Sequence, residues 1–194
     1  MGEELMLRFD DLTREERYYS ATILPHLFAY NNFSGLNIFE KTLKAKNLIS
    51  TLSTINNEIQ IVSEIYPERD LPYYKIEIHE SAFEKKMKSQ SKPDLLIITN
   101  ESLYLFECKV FMNESEYKLH QQIMRQKYIF DIIEKTTHHQ FTNKLHFLIL
   151  PFEYDIADCL VITWESIYSI LAEVIPNHDY FFQRLKSGIL RIKM

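Results

Sequence analysis

Near the start of the chain apolar residues recur at spacings of three and four, and after Glu58 the pattern changes to alternation. Thr13-Arg14-Glu15-Glu16 forms a capping box, with Thr13 as N-cap and Glu16 at N3, ahead of Ile23, Leu24, Leu27 and Phe28. The spacing predicts a helix over 14–30, which Pro25 should kink or end early. Phe39, Leu43, Leu48 and Leu52 predict a second helix over 36–52. From Glu58 to Tyr66, Ile59, Ile61 and Ser63 fall on one face and Gln60, Val62 and Glu64 on the other, the pattern of a strand. Tyr73 to Ile78 alternates similarly, and the lysine-rich stretch Glu84 to Lys92 reads as a solvated helix end or loop.

Two apolar runs follow, Asp94 to Thr99 and Leu103 to Val110. Asn100-Glu101-Ser102, all turn formers, separate them, so the pair reads as an antiparallel hairpin. Glu114 to Glu134 holds Tyr117, His120, Gln121, Met124, Tyr128 and Ile132 at helical spacing without proline or glycine, and predicts a long helix. Lys144 to Pro151 and Cys159 to Thr163 read as buried strands, and Ile167, Ile170, Leu171 and Val174 as a helix. This order describes one α/β domain over 1–194, a mixed central sheet flanked by helices, with no repeat and no linker.

Composition agrees: 46% of the 194 residues are apolar, and 13 Phe and 12 Tyr against 3 Gly and 6 Pro point to a packed, aromatic-rich interior. No apolar run approaches the roughly 18 residues of a membrane span, so the expectation is a soluble, cytoplasmic protein without a membrane partner. Cys108 and Cys159 have no partner at metal-ligand spacing and read as buried free thiols. The net charge of −5 is not that of a chain that coats nucleic acid. Basic residues nevertheless cluster locally, at Lys85, Lys86, Lys88 and Lys92 and at Arg184, Lys186, Arg191 and Lys193.

The candidate chemistry lies in the hairpin. On a strand, Glu107 and Lys109 project together while Phe106, Cys108 and Val110 point the other way. A charged pair in so apolar a strand is costly unless paired or metal-bound. The hairpin returns Asp94 beside Glu107, so two carboxylates converge with one ammonium. Such a set suits Mg²⁺ or Mn²⁺, with the Cys108 carbonyl as a further ligand. The metal would polarise a scissile phosphate and activate water, and Lys109 would orient that water or stabilise developing charge. The competing reading is a surface ion pair between Glu107 and Lys109, worth little.

Pro93-Asp94, twelve intervening residues and Glu107-Cys108-Lys109 resemble the PD-(D/E)xK nuclease signature. The resemblance implies a restriction-endonuclease-like core of a helix, three antiparallel strands, a helix and a further strand. It also implies that Asp94 and Glu107 hold the metal, that Lys109 acts on the attacking water, and that DNA is favoured over RNA. Family members often carry another acid on the first core helix, here Glu16 with Glu15 as competitor; the capping box alone also accounts for Glu16. A glutamine on the helix after the lysine strand corresponds to Gln121 or Gln122, although the tyrosine that follows, Tyr128, is not at the RecB-like position.

No DNA-reading module is recognisable, so specificity is expected from a dimer, a partner subunit or DNA structure, in bacterial or phage defence, repair or recombination. Rival readings are an RNA endonuclease of the cap-snatching kind, which would use His26 on the metal, and a catalytically idle nucleic-acid-binding subunit. A packed His26 is the simpler expectation. Glu64 is either a site acid or a solvated strand-face acid. His138 and His139 end a helix, where imidazole suits the dipole. Trp164, Tyr18 and Tyr19 read as core or rim rather than as base-stacking platforms.

Overall fold

The computed structural model describes residues 15–54, 58–65, 92–110 and 115–192. Thr13, the extended piece 73–78, the lysine-rich stretch up to 91 and Lys193 lie outside the described residues.

The first helical stretch, from Glu15 to Ala45, is not regular throughout. α1 (Glu15–Tyr18) passes into a π-helical turn (Tyr19–Ile23) and then into α2 (Leu24–Ala45). Pro25 does not end the helix: the π turn comes just before it, and Pro25 lies in the first turn of α2. The chain then breaks at Tyr30–Phe33, where Asn31, Asn32 and Phe33 take positive φ of 42°, 56° and 62°. Asparagine adopts this region more readily than most residues. Helices thus lie on either side of about 30–36 as predicted, but the second ends at Ala45 rather than at 52, with Leu48 and Leu52 beyond it, and Gly35 lets the two meet. A Cβ there would lie 2.0 Å from the carbonyl oxygen of Leu27.

β1 (Gln60–Ser63), β2 (Leu95–Ile98), β3 (Ser102–Cys108), β4 (Asn143–Leu150) and β5 (Leu160–Thr163) form one sheet in the order β1-β2-β3-β4-β5. The first three strands pair antiparallel and the last two add in parallel, giving a mixed sheet. The expected hairpin is present, with Leu95 opposite Phe106 and Ile98 opposite Leu103. Its turn closes through the Thr99 hydroxyl, which accepts the N–H groups of Glu101 and Ser102 at 3.1 and 2.8 Å.

Helices cover both faces. Leu95, Ile97, Tyr104, Phe106, Phe147 and Ile149 pack under α2, α5 (Trp164–Leu171) and α6 (Tyr180–Ile192). On the other face Leu96, Leu103 and Leu105 meet Ile129 and Ile133 of α4 (Tyr128–Thr137). Beside them Leu148 and Leu150 meet Leu119 and Ile123 of α3 (Glu116–Gln126). The single helix predicted over 114–134 is therefore two segments that meet at Lys127, whose backbone stays α-helical. At the sheet end remote from Glu107, buried Glu40 accepts from the Tyr104 hydroxyl and the Ser53 N–H, both at 2.7 Å, which ties the segment after α2 to the strands.

α6 adds a helix where the sequence reading marks only a basic cluster. It buries Phe182, Leu185 and Ile189, stacks Phe182 on Tyr168 at 4.5 Å, and starts at Asp179, whose carboxylate accepts the Phe182 N–H at 2.9 Å. No helix among the described residues is long and apolar enough to cross a membrane.

Candidate metal centre

Alternation along β3 puts Leu103, Leu105, Glu107 and Lys109 on the face that α3 and α4 cover, so the two charged residues end an otherwise apolar row. Both are buried, Glu107 with 1% and Lys109 with 6% of its surface exposed. A surface ion pair is thereby excluded. Asp94 is fixed from three sides: its N–H donates to the Phe106 carbonyl at 3.0 Å, its carbonyl accepts from Glu64 N–H at 3.0 Å, and its Oδ2 accepts the Cys108 N–H at 2.8 Å. Glu16 arrives from α1. One carboxylate oxygen each of Glu16, Asp94 and Glu107 lies within 4.8 Å of the others.

The Lys109 ammonium sits 2.7 Å from Glu107 Oε1 and 3.5 Å from Glu16 Oε1. Its backbone is clamped, the N–H donating to Ile149 O at 2.8 Å and the carbonyl accepting from Trp164 Nε1 at 2.9 Å. Trp164 is therefore a core residue that holds the lysine in place, and Tyr18 and Tyr19 are buried as well. Between Gln121 and Gln122 it is Gln122 that faces the centre, with Nε2 donating to Glu107 Oε1 at 2.6 Å; Gln121 donates to the Tyr117 hydroxyl instead.

Two further residues, Gln126 and His146, join the centre beyond those that the sequence reading marks. Gln126, fully buried, donates through Nε2 to Glu107 Oε2 at 2.6 Å and to the Lys92 carbonyl at 3.1 Å, and its Oε1 lies 2.7 Å from His146 Nε2 on β4. The i, i+4 spacing from Gln122 was the available signal for Gln126. A lone histidine in an apolar strand gave none for His146.

Electrostatics follow from this crowding. Burial, and then the charge of Glu107, push the Asp94 carboxyl up to about 8, against the pull of the Cys108 N–H. Burial also raises Glu107, opposed by Lys109 and the Gln126 amide. The Cys108 thiol, fully buried on the opposite face, is raised by burial and stays neutral. His146 is held down to about 4 by burial and then by Lys127. Burial and mutual repulsion thus hold protons on this group of acids, which a bound cation would displace. Three carboxylate oxygens gathered at this spacing could hold a hard divalent cation.

Other candidates lie elsewhere. Glu64 follows β1 with a positive φ of 54° and pairs with Arg17 and, at 3.1 Å, with Lys92. Burial raises its carboxyl, but hydrogen bonds from Arg17 and Lys92 outweigh it and bring it below the ordinary value. It is neither a solvated acid nor a member of the converging group. The His26 ring packs 3.9 Å from that of Phe181 and does not join the acids. His138 caps α4 in the left-handed region, and His139 Nε2 lies 2.7 Å from Asn100 O. Cys159 is half-buried and, like Cys108, a free thiol. Compared with family models, curated proteins and solved structures, the chain matches none.

Proposed function

We propose that the chain is a metal-dependent nuclease with a restriction-endonuclease-like core that hydrolyses phosphodiester bonds, DNA in preference to RNA. The observation that carries this reading is the convergence of Glu16, Asp94 and Glu107 within 4.8 Å beside the buried Lys109 ammonium. The element order supports it: a helix, three antiparallel strands, a helical segment and a further strand is the order that the resemblance of Pro93-Asp94 and Glu107-Cys108-Lys109 implies.

When bound, Mg²⁺ or Mn²⁺ supplies polarisation of the scissile phosphate and a lowered pKa for bound water. Asp94 and Glu107 would hold the cation, with Glu16 as a third carboxylate and the Cys108 carbonyl as a further oxygen. The Lys109 ammonium, beside Glu107 and Glu16, would orient the attacking water or stabilise the oxygen that gains charge. Gln122 and Gln126 hold the Glu107 carboxylate by both oxygens. An acidic chain gains little from bulk attraction to phosphate, so a dimer or partner subunit contributes positive charge and specificity.

The test is cleavage of plasmid, single-stranded DNA and RNA with Mn²⁺, comparing wild type with Asp94→Asn and Lys109→Met. Plasmid nicking that falls about 100-fold or more in both variants is expected. Cleavage unaffected by either substitution contradicts the assignment. Preference for RNA moves the reading to an RNA endonuclease, and binding without cleavage to an idle subunit.

A further inference from the structure

Both oxygens of Glu107 are held by amides of α3, Oε1 by Gln122 and Oε2 by Gln126. A glutamine amide has a donor end and an acceptor end of nearly the same shape. Turned about, Gln126 would aim its oxygen at the Glu107 carboxylate and set a lone pair where a donor is needed, beside two further acids. The choice between the two orientations is made on the far side of the amide.

There His146 Nε2 lies 2.7 Å from Gln126 Oε1. Both Gln126 N–H bonds are already engaged, with Glu107 and with the Lys92 carbonyl. Oε1 is what faces the imidazole, so the ring must donate through Nε2. A neutral imidazole that carries its proton on Nε2 has a bare lone pair at Nδ1. Among the described residues His146 Nδ1 is indeed buried with no hydrogen-bond partner, a position where an N–H would cost more than an empty lone pair. β4 supplies the rigidity: His146 lies opposite Leu105 in the sheet, and Phe130 of α4 closes over the ring edge-on at 6.5 Å.

We propose that His146 is a positioning residue whose Nε2–H locks the Gln126 amide with its nitrogen toward Glu107, holding that carboxylate in the orientation that receives the divalent cation. The last step rests on the nuclease reading; the lock itself does not.

The test begins with nitrogen-15 spectra of the metal-free full-length chain. The expected result is the Nε2–H tautomer at His146 and a Gln126 side-chain amide protected from solvent exchange. His146→Leu should lose that protection, while His146→Gln, whose amide nitrogen reaches near the position of Nε2, should keep it. Mn²⁺ calorimetry should then show affinity about 10-fold or more weaker for His146→Leu and close to wild type for His146→Gln. Should His146→Leu fail to fold, the wild-type tautomer and the His146→Gln variant decide the question. An Nδ1–H tautomer, undiminished Gln126 protection in His146→Leu, or wild-type Mn²⁺ affinity in that variant overturns the proposal. A wild type that binds no Mn²⁺ removes the metal reading of Glu107, and the metal-free spectra alone then decide the lock.

Discussion

Glu107 and Lys109 are almost fully buried, and at the residue scale their neighbours explain how that burial is tolerated: each Glu107 oxygen has a donor, and Lys109 has two carboxylates. Asp94 is less well compensated, which gives the metal-free protein a pH dependence. Its proton is bound more tightly in the folded chain than in the unfolded one. The group therefore favours folding at low pH, and this contribution is lost as pH rises from the ordinary value of 3.8 through about 8. The melting temperature of metal-free protein should carry a downward slope over that window, which Asp94→Asn should flatten. Scanning calorimetry at several pH values without divalent ions checks this; an unchanged slope in the variant contradicts it. Strand alternation was enough to pair Glu107 with Lys109 in the sequence, and the hairpin turn to bring Asp94 beside them. Which of Glu15 and Glu16, or of Gln121 and Gln122, turned inward depended on helix phase, which the backbone fixes. Gln126 and His146 meet through contacts 20 residues apart, so nothing local marked them as partners.

Elements owe their placement to a few close approaches. Gly35 sits where the second part of α2 folds against the first, with no room for a Cβ beside the Leu27 carbonyl. Gly35→Ala should cost about 1–3 kcal/mol in urea unfolding, because backbone must shift to relieve the overlap; an unchanged midpoint contradicts this packing. Trp164→Phe should leave the Lys109 carbonyl without its buried donor and cost a similar amount, about 1–3 kcal/mol, by the same measurement. The long strands and the hairpin were legible because their apolar runs are bounded by turn formers. α6 was equally amphipathic, with Asp179 as N-cap and Phe182, Leu185 and Ile189 at helical spacing, but its charges drew the reading toward a basic patch. The π turn before Pro25 could not be read, since it resolves a conflict between a helix-breaking residue and the packing of Ile23, Leu24 and Leu27 around it.

At the scale of the molecule, one sheet is shared by the cores on its two faces, so neither face can lose its helices without exposing strands that also serve the other. Unfolding should therefore be a single transition. The fluorescence of Trp164, the one tryptophan in the chain, lies on the α2 side and should change together with far-UV circular dichroism in urea; separated midpoints contradict a shared core. The α/β class and the mixed sheet were legible from the order of periodicities, because each element has a length and a pattern of its own. The parallel addition of β4 and β5 was not, since it depends on crossovers rather than on any local pattern. Sheet and helices together bring acids from α1, from the approach to β2 and from β3 to one end of the molecule, and the central claim is that this convergence binds a divalent cation. Calorimetric titration of Mn²⁺ into folded wild type beside Glu107→Gln tests it most directly. One or two sites in the wild type, with affinity lost in Glu107→Gln, is the expected result, whereas absence of binding in folded wild type, or equal binding by the variant, contradicts the account.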